Sequence, residues 1–218
     1  MRIPLAKYGA RELALFGGPT LAGLVVSAFL AWYLLPLFAA ALVFIVAFFR
    51  DPQRRVPSDP GAVVAPADGR VTEVAETQDA RYLKGRVHKI GIFMSLASVH
   101  VNRAPCAGRV EAVEHRPGRF LDARDPAASA ENESTAVAIA DAEGRPARVL
   151  LRQVAGVLAR RIVCAAAVGE VLERGQRIGM IKFGSRVEVY VPVESGFEVL
   201  VGPGARVRAG ETILGRFR

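Results

Sequence analysis

The stretch Gly179-Met-Ile-Lys-Phe-Gly-Ser-Arg-Val-Glu-Val-Tyr-Val-Pro192 reads as a strand, a turn and a second strand. After the turn, valines alternate with polar side chains, in the order Arg186, Val187, Glu188, Val189, Tyr190 and Val191. This period of two predicts a strand with one face buried and the other in water. Gly184 permits a positive φ and Ser185 is a frequent turn residue, so a tight turn explains the pair without any chemistry.

A Gly-Ser peptide bond can also react. A serine hydroxyl attacks the preceding carbonyl when the turn is strained and a general base is near, and the product is an ester. Elimination then cuts the chain and leaves dehydroalanine, which hydrolyses to a pyruvoyl group and ammonia. That carbonyl does the work of an added electron-sink cofactor. Gly184 favours the attack because it has no Cβ, but the dipeptide alone favours the simple turn.

Four segments together make the second interpretation specific. They are Ala65-Pro-Ala-Asp-Gly69, Ser98-Val-His-Val-Asn-Arg-Ala-Pro105, Pro117-Gly-Arg-Phe-Leu121 with Asn132-Glu133 downstream, and Phe183-Gly-Ser-Arg-Val-Glu-Val-Tyr-Val-Pro192. In this order they resemble the short, bacterial-type phosphatidylserine decarboxylases, over nearly the whole chain. One such segment is a weak signal, whereas four in order are a strong one.

The resemblance implies a membrane-bound zymogen that cuts itself between Gly184 and Ser185. Ser185 would become a covalent pyruvoyl group, the cofactor, whose carbonyl forms a Schiff base with the amine of phosphatidylserine. Loss of CO2 would then give phosphatidylethanolamine. The β chain, residues 1–184, and the α chain, residues 185–218, would stay associated because they share one core. A homo-oligomer is compatible with the resemblance.

Two further residues take catalytic roles from the resemblance. Asp68 matches the aspartate of the family's self-processing triad, and His100 matches the histidine that activates the serine. Longer relatives carry a second histidine where this chain has Arg103. Without the resemblance, Asp68 is a turn aspartate and His100 a half-buried side chain. His115 is the second candidate for the base.

Arginine side chains are candidates for binding the phosphate or carboxylate of the substrate, because guanidinium pairs with both. Arg103 and Arg186 are the substrate-binding candidates, and Arg116 and Arg119 are further ones. Taken singly, each arginine is equally well explained as a solvated charge at the end of a strand.

Composition limits the partners. The chain has 218 residues and a net charge of +8 at pH 7, which predicts an anionic partner. Aromatic residues are only 7%, and no basic run is interleaved with them, so a membrane surface is favoured over nucleic acid. Two cysteines without CxxC spacing predict buried thiols in a reducing compartment, and three scattered histidines predict no metal site.

The N-terminal region is strongly apolar. No charged residue occurs from Leu13 to Phe49, which predicts a membrane-embedded segment longer than one span. Gly17-Gly18-Pro19 and Pro36 interrupt it, and basic residues flank both ends. We therefore expect a helical hairpin with its turn near Tyr33 to Pro36. The catalytic domain would lie on the cytoplasmic side of the cell membrane. The alternative is one tilted helix from about Leu13 to Leu35.

A linker rich in proline and charge, residues 51–61, separates this membrane region (1–50) from a predicted β-rich catalytic domain (62–218). Short segments that favour β structure follow, punctuated by Gly, Pro and Asp. They are Val63-Val64, Gly69–Val74, Val87–Met94, Gly108–Val113, Thr135–Ile139, Arg148–Leu151 and Arg161–Val163. The soluble domain is therefore predicted to be mainly β.

An internal repeat refines this prediction. Residues 171–178 match residues 207–213 as V-x-x-G-x-x-I around Gly175 and Gly210, with one residue more in the first spacing. Such a unit is a strand, a glycine turn and a strand, and it recurs in biotinyl and lipoyl carrier domains. It predicts a β-sandwich or barrel-sandwich-hybrid-like domain.

Two other functions fit parts of the sequence. A membrane-tethered, non-enzymatic carrier or adaptor of the biotinyl/lipoyl type would need an exposed lysine at a hairpin tip, and Lys182 is the nearest candidate, although it lacks the Met-Lys-Met setting. A membrane-anchored peptidase of similar β architecture would need a metal spacing that the three histidines do not provide.

Overall fold

A computed structural model of the chain describes residues 5–79, 81–141, 148–157, 161–182 and 184–218. The chain divides into two compact units, Met1–Gln53 and Arg54–Arg218. We call the first the helical unit and the second the β unit.

The helical unit is a pair of apolar helices, α1 (Ala10–Leu30) and α2 (Leu35–Phe48), each preceded by a short 3-10 helix, at Lys7–Gly9 and Trp32–Leu34. The N–H of Ala6 donates to the carbonyl of Phe49 at 2.8 Å, so the two ends of the unit meet. Gly23 allows the ring of Phe38 to come close, since a Cβ there would lie 2.4 Å from it. The helices therefore fold back on each other as a hairpin.

Helix α1 is not interrupted at Gly17-Gly18-Pro19, contrary to the prediction from sequence, and runs through Pro19. Pro19 removes one backbone donor, and the Thr20 hydroxyl adds a hydrogen bond nearby, to the Phe16 carbonyl at 2.7 Å. Side-chain donors of this kind allow proline inside apolar helices. Lys7–Leu30, with mean hydropathy 1.9, is long and apolar enough to cross a bilayer, whereas Trp32–Phe48 is shorter.

The β unit confirms the predicted mainly β fold, and each segment predicted as a strand overlaps one. Its described strands are β1 (Ala62–Val64), β2 (Gly69–Asp79), β3 (Gly85–Met94), β4 (Val101–Arg103), β5 (Gly108–Arg116), β6 (Ser134–Asp141), β7 (Arg148–Val154), β8 (Ile162–Cys164), β9 (Val171–Leu172), β10 (Arg177–Ile181), β11 (Ser185–Pro192), β12 (Phe197–Val199), β13 (Arg206–Val207) and β14 (Ile213–Phe217). Short helices lie at Ala128–Glu131 (α3) and Val193–Ser195 (3-10). Cys106 is buried and Cys164 is half-buried, and neither of them forms a disulfide bond.

The central sheet has the strand order β13-β2-β3-β11-β7-β6-β5-β9, and two three-stranded sheets, β4-β10-β8 and β1-β14-β12, accompany it. β11 lies in the middle, antiparallel to β3 and to β7. Aliphatic side chains of the central strands, including Ile92, Leu151 and Val189, are fully buried in one core. Since Val187, Val189 and Val191 all point into this core, it fixes the register of β11.

The β unit consists of two pseudo-equivalent halves. The first half contains β1, β2, β3, β11, β12, β13 and β14, and the second contains β4, β5, β6, β7, β8, β9 and β10. The order of the central sheet is symmetric about the β11–β7 pair. The registers agree as well, because Val207 pairs with Gly69 and Leu172 pairs with Gly108. Both β2 and β5 shift register at the same place, after Val71 and after Val110.

The duplication is visible in the sequence once the structure is known. Ala65-Pro-Ala-Asp-Gly-Arg-Val71 matches Ala104-Pro-Cys-Ala-Gly-Arg-Val110. The two segments exchange backbone hydrogen bonds: Val64 N–H donates to the Pro105 carbonyl at 2.8 Å, and Arg103 N–H donates to the Pro66 carbonyl at 2.9 Å. The pairing is reciprocal, as expected of segments related by a pseudo-twofold axis.

The glycines of the predicted repeat occupy equivalent turns. Gly175 and Gly210 have φ of +77° and +75°, a left-handed conformation that favours glycine. Their N–H groups each donate over 2.8 Å, to Ala104 and Ala65 respectively. The predicted strand, turn and strand are therefore confirmed. The two repeats have the same spacing in the structure, because the counterpart of Val207 is Leu172 and not Val171, as the sequence match had it.

Candidate active site

Strand β11 is buried on both faces, so the predicted half-exposed strand is wrong in this respect. Arg186 is 2% exposed and Glu188 is 0% exposed. Arg186 forms ion pairs with Glu73 and, at 2.9 Å, with Glu188, and Lys89 lies 3.4 Å from Glu188. Burial acts to raise the pKa of Glu188, but attraction to Lys89 and Arg186 outweighs it and holds the pKa below its ordinary value. A network of charges thus fills the polar face of β11.

Gly184 and Ser185 form the junction that leads into β11. Gly184 has φ +66°, and Ser185 is the first residue of the strand and is fully buried. A Cβ on Gly156 would lie 2.4 Å from the Gly184 carbonyl oxygen. Gly156, just after β7, therefore provides the room that this carbonyl occupies. Phe183, the residue before the junction, lies outside the described residues.

Two buried amide side chains approach Ser185 through Met94. The Ser185 hydroxyl donates to the Met94 sulfur at 3.3 Å, and Asn102 Nδ2 approaches the same sulfur at 3.7 Å. Gln153 Nε2 donates to Asn102 Oδ1 at 2.8 Å. Within the described parts of the chain, Gln153 Oε1 is buried and has no hydrogen-bond partner. The core next to Ser185 therefore contains a polar cluster with one acceptor to spare.

His100 is fully buried and stands directly before β4. Its carbonyl accepts a hydrogen bond from the Ile181 N–H at 3.3 Å. Ile181 ends β10, and the chain then reaches Ser185 in four residues. The segment that carries His100 therefore runs beside the strand that leads to the Gly-Ser junction.

Asp68 is positioned by the turn before β2. Arg54 Nη2 lies 2.9 Å from Oδ1 and 2.8 Å from Oδ2, and the Ala209 N–H donates to Oδ1 at 2.8 Å. Arg54 is itself largely buried, with 7% of its side chain exposed. Among the described residues, the hydrogen bonds of this carboxylate run to Arg54 and Ala209 and not to His100.

The other candidates lie in different surroundings. Arg103 Nη1 donates to the Gly175 carbonyl at 3.0 Å. His115 lies on β5, three strands from β11 in the central sheet, and contacts Thr135 Oγ1 at 3.2 Å. Lys182 is only 5% exposed, so it does not stand at an exposed hairpin tip as a carrier lysine would. The described residues contain no group of three or more His, Cys, Asp or Glu that could hold a metal ion.

A cavity of ≈ 460 Å³ opens beside Gly184. Its wall includes Phe93, Leu96 and Val157, so it is largely apolar. Asp122 and Arg124 contribute charge, and hydrogen bonds from Arg124 lower the pKa of Asp122 to about 2. The volume is within the range of about 300–1,000 Å³ that is typical of small-molecule sites.

Comparison with known proteins identifies the family. A family model described as phosphatidylserine decarboxylase matches residues 41–215. The chain belongs to this family. A "phosphatidylserine decarboxylase proenzyme" of Symbiobacterium thermophilum is 46% identical over 216 residues, covering 99% of this chain and 97% of that protein. Proteins of the same name from Nitrosomonas eutropha and Carboxydothermus hydrogenoformans are 47% and 43% identical, covering 93% and 100% of this chain and 94% and 100% of their own length.

Sequence reasoning missed three residues around Ser185. Asn102 lies in the same motif as His100, two residues further along the chain. A polar amide so close to a candidate base is the signal that could have identified it. Gln153 was hidden in the alternation of β7, and Gly156 was hidden because a close approach between distant segments leaves no local pattern.

Proposed function

We propose that this member of the family decarboxylates phosphatidylserine to phosphatidylethanolamine and CO2 after it cuts itself between Gly184 and Ser185. The observation that carries the proposal is this junction. A left-handed glycine precedes a buried serine, and Gly156 leaves room for the glycine carbonyl. These features fit a Ser185 that is converted into a pyruvoyl group.

The self-cleavage uses only this chain's own atoms and water. The Ser185 oxygen attacks the Gly184 carbonyl carbon, and the peptide nitrogen leaves as an amine, which gives an ester. Removal of the Ser185 Cα proton then expels Gly184 as a carboxylate and leaves dehydroalanine. Addition of water and loss of ammonia yield the pyruvoyl group on the α chain. When formed, this group supplies an electron sink for the bond that breaks.

We assign His100 as the base that takes the Ser185 proton, and Asp68 as the residue that orients it. Support for His100 comes from its burial and from the hydrogen bond of its segment to Ile181. Asp68 must exchange a partner to act in this way, because Arg54 and Ala209 hold its carboxylate. Arg103 and Arg186 stay predictions as substrate-binding residues, and both are buried with internal partners.

The apolar cavity beside Gly184 is the proposed entry for the lipid. Its walls exclude water from the reacting carboxylate, which favours a transition state in which charge is dispersed. The free acceptor of Gln153 and the amide of Asn102 would orient polar atoms at the buried end of the site. Arg124, at the mouth, is a cation for the phosphate of the head group.

We further propose that the helical hairpin is embedded in the cell membrane, with the catalytic domain, residues 62–218, on the cytoplasmic side, and that this domain has a barrel-sandwich-hybrid architecture. Large apolar side chains of the hairpin are exposed, including Phe29 at 84% and Trp32 at 76%. Apolar surface of this kind is favourable in lipid and costly in water. The two glycine turns and the pseudo-twofold pairing support the sandwich architecture.

The experiment compares two serines of the predicted α chain, residues 185–218. Ser185→Ala should stay full length and release no CO2 from phosphatidylserine in detergent micelles. Ser195→Ala is the matched control and should be cut and active, since the Ser195 hydroxyl only donates to the Pro192 carbonyl at 2.6 Å. Decarboxylation by the Ser185→Ala protein would refute the proposal.

A further inference from the structure

A second cavity, of ≈ 260 Å³, lies on the polar face of the central sheet around Tyr190. Tyr190 is five residues beyond Ser185 on β11, which is about 16 Å along a strand. The two side chains also point to opposite faces of the sheet, because their positions differ by an odd number. This cavity is therefore separate from the Gly184 site.

The cavity wall is rich in cations. Lys89, Arg116 and Arg152 line it, and Arg81 stands with them. Lys89 and Arg152 are mostly buried, with 12% and 18% of their side chains exposed. Positive groups held this far from water attract an anion more strongly than surface groups do.

The acidic residues of the wall already have partners. Glu114 accepts hydrogen bonds from Arg81 and from the Tyr82 hydroxyl. Asp79 accepts backbone N–H groups from Tyr82 and Leu83 at 2.7 and 2.8 Å. Burial and the Glu114 carboxylate raise the pKa of Tyr82 to about 12, so Tyr82 stays a neutral donor. Arg81 offsets the charge of Glu114, and the cations of the wall outnumber its two carboxylates.

Two carboxylates lie beneath the cavity and share its cations. Glu73 pairs with Arg186 and lies 2.9 Å from Lys89, so the charge of Lys89 is already offset. Glu188 lies 2.9 Å from Arg186, 3.4 Å from Lys89 and 3.9 Å from Arg152, and it also accepts the Tyr190 hydroxyl at 2.6 Å. Arg152 is the most distant of these partners. The positive charge that remains is therefore concentrated on the Arg152 side of the cavity.

Arg116 increases this excess. Its Nη2 donates to the Ala130 carbonyl, which is neutral. Besides its 3.9 Å approach to Glu188, Arg152 makes a long contact of 3.4 Å with Ser134 Oγ. The pKa of Arg116 is lowered, because partial burial removes it from water and because Arg152 and Arg81 repel it. Two guanidinium groups repel each other across this small cavity. An anion bound between them would offset that repulsion and accept hydrogen bonds from both.

We propose that this cavity binds a phosphate group, carried either by a free phosphate compound or by the head group of an anionic phospholipid. A volume slightly below that of typical small-molecule sites suits a small anion. The guanidinium groups of Arg116 and Arg152 match the charge and the several acceptor oxygens of phosphate better than those of a single carboxylate. The site is independent of the reaction at Ser185.

The test is calorimetric titration of the full-length protein in neutral detergent with inorganic phosphate, against sodium chloride at the same ionic strength. We expect binding that weakens at least about tenfold in Arg116→Gln and in Arg152→Gln, since each loses a charged hydrogen bond. Arg218→Gln is the matched control, because Arg218 is 77% exposed and pairs with Glu198 away from the cavity. Arg116→Gln should fold normally, because the Arg116 guanidinium donates to the backbone carbonyl of Ala130 and not to a buried carboxylate.

The source of the phosphate is distinguished in nanodiscs of phosphatidylcholine with or without phosphatidylglycerol. A head-group ligand would block the phosphate titration only in the discs that contain phosphatidylglycerol. A free phosphate compound as ligand would leave the titration equal in both. Absence of phosphate binding to the wild-type protein, or equal binding by wild type and both cavity variants, would overturn the proposal.

Discussion

Asp68 in the first half of the β unit and Ala107 in the second stand at the same place in Ala-Pro-x-x-Gly-Arg-Val. Around them the backbone is equivalent: Gly69 and Gly108 both approach a neighbouring strand so closely that a Cβ would lie 2.1 and 2.0 Å from a carbonyl oxygen. The glycine is therefore demanded by the fold in both halves. The aspartate is not, because the second half forms the same turn with alanine.

The same contrast extends to the sheet. Registers relate three charged residues of the network around Arg186 to apolar ones in the other half, whereas Arg186 itself corresponds to Arg148. The pairs are Glu73 with Ala112, Lys89 with Ala136, and Glu188 with Leu150. Apolar side chains are sufficient for the fold at these three positions, so Glu73, Lys89 and Glu188 are particular to the half that holds Ser185. They tie β11 to its neighbours directly beside the Gly-Ser junction.

The largest effect is expected from Asp68→Asn, compared with Ala107→Asn at the equivalent place. Loss of the carboxylate should slow self-cleavage by about 10²–10⁴-fold, the usual contribution of acid–base machinery. Ala107→Asn should be cut at the wild-type rate. The measurement is the appearance of the two fragments on denaturing gels after synthesis.

Arg54→Gln separates two explanations of that result. If Asp68 matters only as the partner of Arg54, the Arg54 variant should cleave as slowly as Asp68→Asn. Rapid cleavage of Arg54→Gln with slow cleavage of Asp68→Asn supports a direct role for the carboxylate. Wild-type cleavage of Asp68→Asn would remove Asp68 from the mechanism.

The next effect concerns Gly156, which the second half supplies to the junction of the first. A methyl group would displace the Gly184 carbonyl, so Gly156→Ala should slow cleavage by roughly 10²-fold, as misplacement of about 1 Å does in other active sites. Gly202→Ala, where a Cβ meets nothing within 4 Å, is the control. Equal rates for the two variants would show that Gly156 does not position the carbonyl.

Glu188→Leu replaces a charged residue of the network by leucine, the residue that the other half has at the equivalent position 150. It leaves Lys89 and Arg186 buried without this carboxylate, so the free energy of unfolding should fall by about 3–5 kcal/mol. The measurement is denaturant unfolding of the Ser185→Ala protein, so that all chains are full length. Leu150→Met, a nearly volume-conserving change at the equivalent position, should cost under about 1.5 kcal/mol.

The pH dependence checks this assignment. Because the pKa of Glu188 is lower in the folded protein, its contribution is present above the unfolded value of about 4.3 and is lost as pH falls toward the folded value. The stability difference between wild type and Glu188→Leu should therefore shrink below about pH 4.3. A difference that is constant from pH 7 to pH 3 would contradict the ion-pair explanation.

The smallest effects are expected at the two glycine turns. Alanine in a left-handed conformation costs about 1–2 kcal/mol, so Gly175→Ala and Gly210→Ala should both lower stability. Gly175→Ala should lower it more, because its Cβ would lie 2.5 Å from Val56, whereas the nearest atom at Gly210 is 3.1 Å away in the flexible side chain of Arg103. Thermal unfolding of both variants tests whether the halves are equivalent.

Much of the fold could be predicted from sequence, since period-two alternation and glycine turns are local signals. β2, β3 and the turns at Gly175 and Gly210 were found in this way. The burial of Arg186 and Glu188 was not predicted. Alternation along a strand shows which face is polar, but a polar face can still be buried when ion pairs satisfy its charges. The full duplication was not recognised, because only five of the seven residues in each segment around Asp68 and Ala107 match.

The candidate site was predictable to the extent that it lies in contiguous motifs. Ser185 and His100 came from such motifs, and the His100 segment is hydrogen-bonded to Ile181, at the end of the strand that leads to Ser185. The contacts of Asp68 with Arg54 and of Gly156 with Gly184 join segments far apart in the chain. No local sequence pattern predicts such contacts, because they depend on how the sheets pack.

Intact mass spectrometry of the purified wild-type protein shows directly whether the chain cuts itself between Gly184 and Ser185. We predict two species, residues 1–184 and residues 185–218, the second lighter by one ammonia than the same peptide with an N-terminal serine. The preparation should at the same time release CO2 from phosphatidylserine. A single uncut chain that decarboxylates phosphatidylserine would contradict it.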